Sequence, residues 1–191
     1  MGGYLGIDES NHGIVPEVFV GVYSLSKCDS HIKKYPMQKD RNSLALPNDQ
    51  FYRHVLISSS IRSKVNDDLI KIIAASELIG YFSDCDCNGI SRVIFDGSGN
   101  DSVLEDILKM VYPQKPRIDF KPRSDQLYGL VHVADNIAYN LARHYSDPNA
   151  FNFGVVSTRI DFDMKKYDCL AEKYPRIHKI QDGREFSLRV S

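Results

Sequence analysis

The sequence lacks the features that mark several specialised classes of protein. Its charges are balanced, because 24 lysine and arginine residues stand against 25 aspartate and glutamate residues and give a formal net charge of -1. This balance argues against tight, non-specific binding of a polyanion by the whole molecule, although it permits a local basic rim. No apolar stretch approaches the roughly 20 residues of a membrane span, and the N-terminus has neither the basic flank nor the apolar core of a signal peptide. We therefore expect no membrane partner.

Cysteine is also scarce, with four residues scattered along the chain. Isolated cysteines indicate reduced thiols and hence a cytoplasmic protein. Cys85 and Cys87 are close together in sequence, but structural zinc sites space paired ligands about two to four residues apart and require a second pair, which the sequence does not contain. We expect free thiols in a loop rather than a zinc site.

The residues that are present predict one α/β domain. A chain of 191 residues with 42% hydrophobic and 26% charged residues is long enough for one sizeable core. Three strand-like runs separated by turn residues predict an antiparallel meander, and alternating helices and strands follow it. The predicted strands are 3–8, 17–26, 51–58, 91–96 and 117–121, and the predicted helices are 62–83, 101–111 and 124–145. This order requires a mixed five-stranded sheet flanked by helices.

The last part of the chain has a weaker pattern. We predict that residues 1–150 form the domain and that residues 151–191 form a C-terminal extension packed on it. Within the extension, residues 155–157 and 185–190 are strand candidates, and residues 164–173 are a helix candidate.

Acidic residues follow two of the predicted strands. Asp8 and Glu9 end the first strand, and Asp96 ends the strand after the first long helix. If these strands are parallel neighbours, the carboxylates lie side by side and repel one another unless a cation neutralises them. Carboxylate oxygens suit Mg²⁺ or Mn²⁺, and such ions can support phosphodiester hydrolysis. Either acidic segment alone is also explained by a turn, since Gly97 follows Asp96.

Three motifs in this order resemble those of ribonuclease H-like proteins. Gly6-Ile7-Asp8-Glu9-Ser10 resembles the opening motif of ribonuclease HII and of an uncharacterised ribonuclease H-like family that begins with Asp-Glu-Ser. Val93-Ile94-Phe95-Asp96-Gly97 resembles the central strand that delivers the next carboxylate. The segment from Leu130 to Ala138, preceded by Ser124, is similar to a helix motif of the uncharacterised family. The resemblance covers about residues 4–145.

This resemblance implies a ribonuclease H-like fold and a divalent-metal-dependent nuclease that acts on RNA or DNA. Asp8, Asp96 and a carboxylate of the last long helix would hold Mg²⁺ or Mn²⁺, and Glu9 would complete the metal shell or orient water. The helix carboxylate has two candidates. Ribonuclease HII implies Asp125, whereas the uncharacterised family implies Asp135. On a continuous helix Asp135 lies at the edge of the apolar stripe and Asp125 points away from it, which favours Asp135.

One departure from ribonuclease HII leaves the substrate open. That family follows its acidic pair with Gly-Arg-Gly, where this sequence has Asn11-His12-Gly13. A basic rim of Lys121, Arg123 and Arg143 would suit a phosphate backbone, but the same side chains are also explained as a solvated surface. Two other functions are therefore kept beside the nuclease: a non-catalytic module that binds nucleic acid or protein, and a nucleotide-handling enzyme with the same metal site. The sequence does not predict the oligomeric state.

Overall fold

The fold is built on one mixed sheet with helices on both faces. The computed structural model describes residues 2–10, 15–25, 50–84, 89–97, 102–114, 116–147, 159–160 and 164–173. The strands in these ranges are β1 (Gly3–Ser10), β2 (Glu17–Ser24), β3 (Gln50–Ile57), β4 (Ile90–Asp96), β5 (Arg117–Lys121) and β6 (Arg159–Ile160). The helices are α1 (Ser59–Arg62), α2 (Asp67–Asp84), α3 (Ser102–Val111), α4 (Ser124–Leu127), α5 (Gly129–Ser146) and α6 (Met164–Lys173).

The strand order of the sheet is β5-β4-β1-β2-β3-β6. β1, β2 and β3 form an antiparallel meander, and β4 and β5 add to it in parallel beside β1. The predicted α/β class and the mixed sheet are therefore confirmed. The described sheet has six strands rather than the predicted five, because the two-residue strand β6 pairs with β3. A strand of this length is too short to leave an alternation pattern in the sequence.

Two hydrophobic clusters cover the two faces of the sheet. The larger one joins Leu5 and Ile7 of β1 to the apolar sides of α2 and α3. The smaller one joins alternate valines of β2 to α5. Because side chains alternate along a strand, Gly6 and Asp8 of β1 face α5, whereas Glu9 faces α2.

Gly6 allows α5 to lie unusually close to β1. A Cβ atom built on Gly6 would stand 2.7 Å from the backbone carbonyl carbon of Leu130 and 2.8 Å from the nitrogen of Val131. Real Cβ atoms do not approach backbone atoms so closely, so the helix would have to move. The absence of a side chain at Gly6 therefore sets the distance between α5 and the strand that carries Asp8.

Two predicted helices differ from those in the structure. The predicted helix 62–83 begins only at Asp67, as α2, and its predicted first residue, Arg62, is the last residue of the short helix α1. The Asn66 side chain accepts a hydrogen bond of 2.9 Å from the Asp68 amide at the start of α2. The predicted helix 124–145 is broken at Tyr128, whose φ of -122° and ψ of 119° are extended. The helix-periodicity argument about Asp125 was therefore wrong in its premise, because Asp125 and Asp135 belong to different helices.

Helix α6 coincides with the predicted helix 164–173. Other predictions lie outside the described residues: the segment Asn11-His12-Gly13, the thiols of Cys85 and Cys87, and the strand candidates 155–157 and 185–190. The division of the chain at residue 150 stays a prediction. Within the described ranges, none of the helices has the length and apolar character needed to cross a membrane.

Candidate functional site

Asp8 and Asp96 lie beside each other on neighbouring parallel strands. In the register of β1 and β4, Ile7 is the partner of Phe95, so the next residue on each strand is an aspartate. Parallel partners direct their side chains to the same face, and neighbouring strands lie about 4.8 Å apart. Asp8 is 4% exposed although it carries a carboxyl group. β1 continues to Ser10, so Asp8 lies within the strand rather than at its end.

Asp135 of α5 is the third member of this group. The pKa of Asp8 is raised to about 9, chiefly by burial; the hydrogen bond from the Glu9 amide opposes the rise, and the charges of Asp135, Asp96 and Glu9 add to it. That amide donates to Oδ1 of Asp8 at 2.7 Å. The pKa of Asp8 thus reports a low-dielectric position beside three other carboxylates. We call Asp8, Asp96 and Asp135 the carboxylate cluster.

Ser124 holds Asp96 in place. Its backbone N–H and its hydroxyl donate to the same oxygen, Oδ1 of Asp96, at 2.8 and 3.1 Å. Arg123 directly before it has a φ of 57°, in the left-handed region, and this turn of the backbone leads into α4. Ser124 is completely buried. Sequence reasoning noted Ser124 only as part of a motif and did not assign it this contact.

Glu9 lies on the other face of the sheet from Asp135. Its Oε1 atom forms an ion pair of 2.7 Å with the ammonium of Lys71 on α2. Glu9 is 6% exposed, so this cation compensates a charge that burial disfavours. Glu9 therefore acts on Asp8 through its nearby charge, and its own carboxylate is held by Lys71.

Asp125 occupies the first turn of α4. It is half-buried and is not among the carboxylates that raise the pKa of Asp8. The described structure therefore brings Asp135 into electrostatic contact with Asp8 and gives no such contact to Asp125. The choice of Asp135 as the helix ligand stays a prediction, now with this contact in its favour.

The chemistry of the carboxylate cluster suits a hard divalent cation. All its donors are carboxylate oxygens, which Mg²⁺ and Mn²⁺ prefer, and a cation would offset the repulsion that acts on Asp8. Within the described ranges, no three His, Cys, Asp or Glu side chains are already arranged so that they could hold a metal ion. The donor atoms of the cluster thus suit such an ion chemically, but in the described structure the carboxylates are not arranged as a complete set of metal ligands.

Comparison with solved structures identifies this architecture. No protein-family model and no curated protein matches the sequence. Ribonuclease HII of Archaeoglobus fulgidus, solved in a complex with PCNA, is 18% identical with a TM-score of 0.56, over 95% of this chain and 88% of that chain. Ribonuclease H2 of Pyrococcus horikoshii OT3 is 14% identical with a TM-score of 0.51, over 91% and 88%. The fold is ribonuclease H-like.

A third structure with the ribonuclease H-like fold carries a metal. Bst-RNase HIII, solved in a complex with Mn²⁺, is 15% identical with a TM-score of 0.50, over 75% of this chain and 52% of that chain. This chain therefore spans about half the length of that protein. At these identities the likeness concerns the fold and does not transfer the metal or the substrate.

The ribonuclease H-like sheet also brings a lysine next to the carboxylate cluster. Lys121 of β5 is the partner of Asp96 in the β4–β5 register. Its ammonium donates a hydrogen bond of 2.7 Å to the hydroxyl of Tyr128 at the break between α4 and α5. Lys121 was part of the basic rim predicted from the sequence, whereas Tyr128 was missed because it lies in a predicted helix interior.

Proposed function

We propose that this protein is a divalent-metal-dependent nuclease that hydrolyses phosphodiester bonds of a nucleic acid. The observation that supports the proposal is the buried position of Asp8, with Asp96 beside it on the neighbouring parallel strand and the charge of Asp135 acting on it. A buried carboxylate that neighbouring carboxylates repel lowers the stability of the fold, and functional sites are where such arrangements concentrate.

The residues of the chain have separate roles in this proposal. Asp8, Asp96 and Asp135 would hold Mg²⁺ or Mn²⁺, which when bound supplies activation of water and stabilisation of the leaving oxygen. Ser124 orients Asp96 through its two hydrogen bonds. Lys71 neutralises Glu9, so that Glu9 adds less negative charge beside Asp8. Burial of Asp8 under α5 keeps water away from its carboxylate.

Nucleic acid is the proposed substrate because the structures that share the fold are named as ribonucleases. Mn²⁺ in one of them supports the choice of cation.

A nuclease assay on RNA, DNA and hybrid duplexes with Mg²⁺ or Mn²⁺ tests the proposal. Asp8→Asn and Asp135→Asn should each lower the rate of cleavage by about 100-fold or more, because each removes a metal-binding charge. Asp125→Asn is the matched control and should keep the activity of the parent. All variants should show the same far-UV circular dichroism as the parent.

The outcomes separate the alternatives. An Asp8→Asn variant that cleaves as well as the parent would mean that the measured activity is a contaminant. Loss of activity in Asp125→Asn with full activity in Asp135→Asn would move the metal site to α4. Binding of nucleic acid without cleavage by the parent would replace the nuclease with a binding module.

A further inference from the structure

The face of the sheet that carries the carboxylate cluster continues onto β5 as a row of basic side chains. The β4–β5 register pairs Arg92 with Arg117 and Asp96 with Lys121, so these side chains share one face. The apolar side of α5 packs mainly over β1 and β2 on this face. The basic row thus lies directly beside the cluster, on the part of the face that α5 does not cover.

Lys121 is held beside Asp96 without forming an ion pair with it. Its ammonium is 2.7 Å from the Tyr128 hydroxyl oxygen and 5.2 Å from the ring centroid. The guanidinium of Arg92 lies 5.6 Å from the same ring. Because the Tyr128 oxygen accepts from Lys121, the hydroxyl keeps its own proton for donation to another acceptor. Lys121 and Tyr128 therefore present a positive charge and a donor one strand away from the cluster.

Arg123 adds a charge at a position where arginine is conformationally unfavourable. Among the non-glycine residues of the described ranges, only Arg123 has a positive φ, and its side chain is exposed. Glycine adopts this conformation without the steric penalty that other residues incur. A strained backbone position occupied by an exposed arginine beside a candidate site points to a role for the side chain.

The charges of this row do not cancel. The carboxylate of Asp119 accepts hydrogen bonds from Arg92 at 2.6 Å and from Arg117 at 3.1 Å, and Asp125 is the other acid of the segment. Asp96, the partner of Lys121, is a third acid, so three acids stand against the four cations Arg92, Arg117, Lys121 and Arg123. A surplus of positive charge therefore adjoins a site that favours a divalent cation, in a chain whose net charge is -1.

We propose that Lys121, Tyr128 and Arg123 form a phosphate-binding subsite for a nucleic-acid strand whose backbone passes the carboxylate cluster. The identity of the strand as substrate rests on the proposed function. Lys121 lies one strand from Asp96 and two from Asp8, which is about 5–10 Å. Successive phosphates of one strand advance about 3.4 Å along the axis of a duplex and are farther apart along the backbone itself, so a phosphate within about three nucleotides of the cleaved bond reaches the subsite. Lys121 and Arg123 neutralise it, and the Tyr128 hydroxyl donates to it.

Binding of a fluorescent single-stranded oligonucleotide of about 12 nucleotides to the full chain in EDTA tests the subsite. Lys121→Gln should raise Kd roughly 10-fold, and the slope of log Kd against log salt should fall by about one. Tyr128→Phe should raise Kd by a smaller factor, and Lys121→Arg should restore the salt slope. Lys109→Gln is the matched control, since this exposed lysine pairs with Glu105 on α3, and it should bind like the parent.

Arg123→Gly provides a second test that does not depend on Lys121. It should weaken binding and lower the salt slope by about one, while its thermal midpoint is equal to or above that of the parent because glycine relieves the backbone strain. A role in folding alone would move the midpoint and leave Kd unchanged.

Three results would overturn the subsite. The first is a parent-like Kd and salt slope in both Lys121→Gln and Arg123→Gly. The second is an equal loss in Lys109→Gln, which would indicate diffuse electrostatic attraction. The third is equally strong competition by a polyglutamate peptide of the same charge. The binding assay contains no metal and measures no cleavage. A negative binding result therefore leaves the nuclease proposal intact, and the subsite can still be tested if the parent protein proves to have no nuclease activity.

Discussion

Two charged residues at and beside the carboxylate cluster are buried. Asp8 and Glu9 are both buried and adjacent in sequence, yet they face opposite sides of the sheet. Glu9 is paired with Lys71, whereas Asp8 meets further carboxylates. Two neighbouring acids therefore have different environments, and Asp8 is the one that faces further negative charge.

The contact between Ser124 and Asp96 predicts a specific effect of Ser124→Ala. Loss of the hydroxyl removes one of two hydrogen bonds to Oδ1 and should lower the free energy of unfolding by about 0.5–1.5 kcal/mol, measured by urea denaturation. It should also weaken Mn²⁺ binding roughly 10-fold, because the carboxylate loses orientation. Ser63→Ala, which removes an exposed hydroxyl contact of 3.1 Å to Ser60, is the control and should leave Mn²⁺ affinity unchanged.

Because His54 is buried and has a lowered pKa, we expect the protein to lose stability in mild acid. Burial, with the charges of Arg159 and Arg53, lowers its pKa to about 4, and its Nε2 lies 2.8 Å from the Tyr145 hydroxyl oxygen. In the unfolded chain this histidine takes up its proton near pH 6.5. The stability that neutral His54 contributes to the folded protein is therefore fully present above about pH 6.5 and is lost as the pH falls toward 4. The loss has a slope of at most about 1.4 kcal/mol per pH unit, or roughly 3 kcal/mol in all.

A His54→Gln variant isolates this effect from the other titrating groups. Urea denaturation of the parent and the variant at about pH 7.5, 6 and 5 should give a difference in stability that shifts in favour of the variant as the pH falls. Parallel pH profiles for the two proteins would contradict the assignment.

At the scale of elements, the close contact of α5 with β1 decides where Asp135 lies. Gly6→Ala would place a methyl group less than 3 Å from the backbone at Leu130. Because a helix backbone cannot move aside as a side chain does, we expect a loss of about 1–3 kcal/mol in urea denaturation. Mn²⁺ affinity should fall as well, since α5 carries Asp135 away from Asp8.

Gly21→Ala is the matched control for this prediction. A Cβ at Gly21 would lie 3.2–3.4 Å from side-chain atoms of Leu5, Leu78 and Phe82, which can adjust. Its cost should be smaller than that of Gly6→Ala, and it should leave Mn²⁺ affinity unchanged. An equal or larger cost at Gly21 would show that the contact of α5 with β1 is not the tighter of the two.

At the scale of the whole molecule, cation binding should be coupled to stability. Mg²⁺ or Mn²⁺ at about 100 times its Kd should stabilise the parent by about 2.7 kcal/mol through mass action, seen as a rise in the thermal midpoint. Asp8→Asn should lose this rise. Without metal the same variant should be at least as stable as the parent, because it removes a buried carboxyl that neighbouring charges disfavour. A rise of equal size in Asp8→Asn would place the cation elsewhere.

Much of the architecture follows from local patterns. The strands β2, β3 and β4 were predictable because each is an apolar, β-rich run bounded by turn residues, and one or both faces of each strand lie in a core. The break at Tyr128 was not, since Leu127, Leu130 and Ala134 keep helical spacing across it. Strand β6 was missed because two residues carry no periodicity. Neither the break at Tyr128 nor strand β6 has a signal in the local sequence, because both depend on contacts with the rest of the fold.

The amino-acid sequence by itself determined which charged residues lie in or next to apolar segments. It therefore identified Asp8 and Asp96 as candidate functional residues. Tertiary structure decided the rest. Pairing of β1 with β4 set the two aspartates side by side, and the missing Cβ of Gly6 let α5, which carries Asp135, lie close to β1. The β4–β5 register placed Lys121 next to Asp96. The physical reason is that electrostatic coupling depends on distance in space, and only the packing of strands and helices sets that distance.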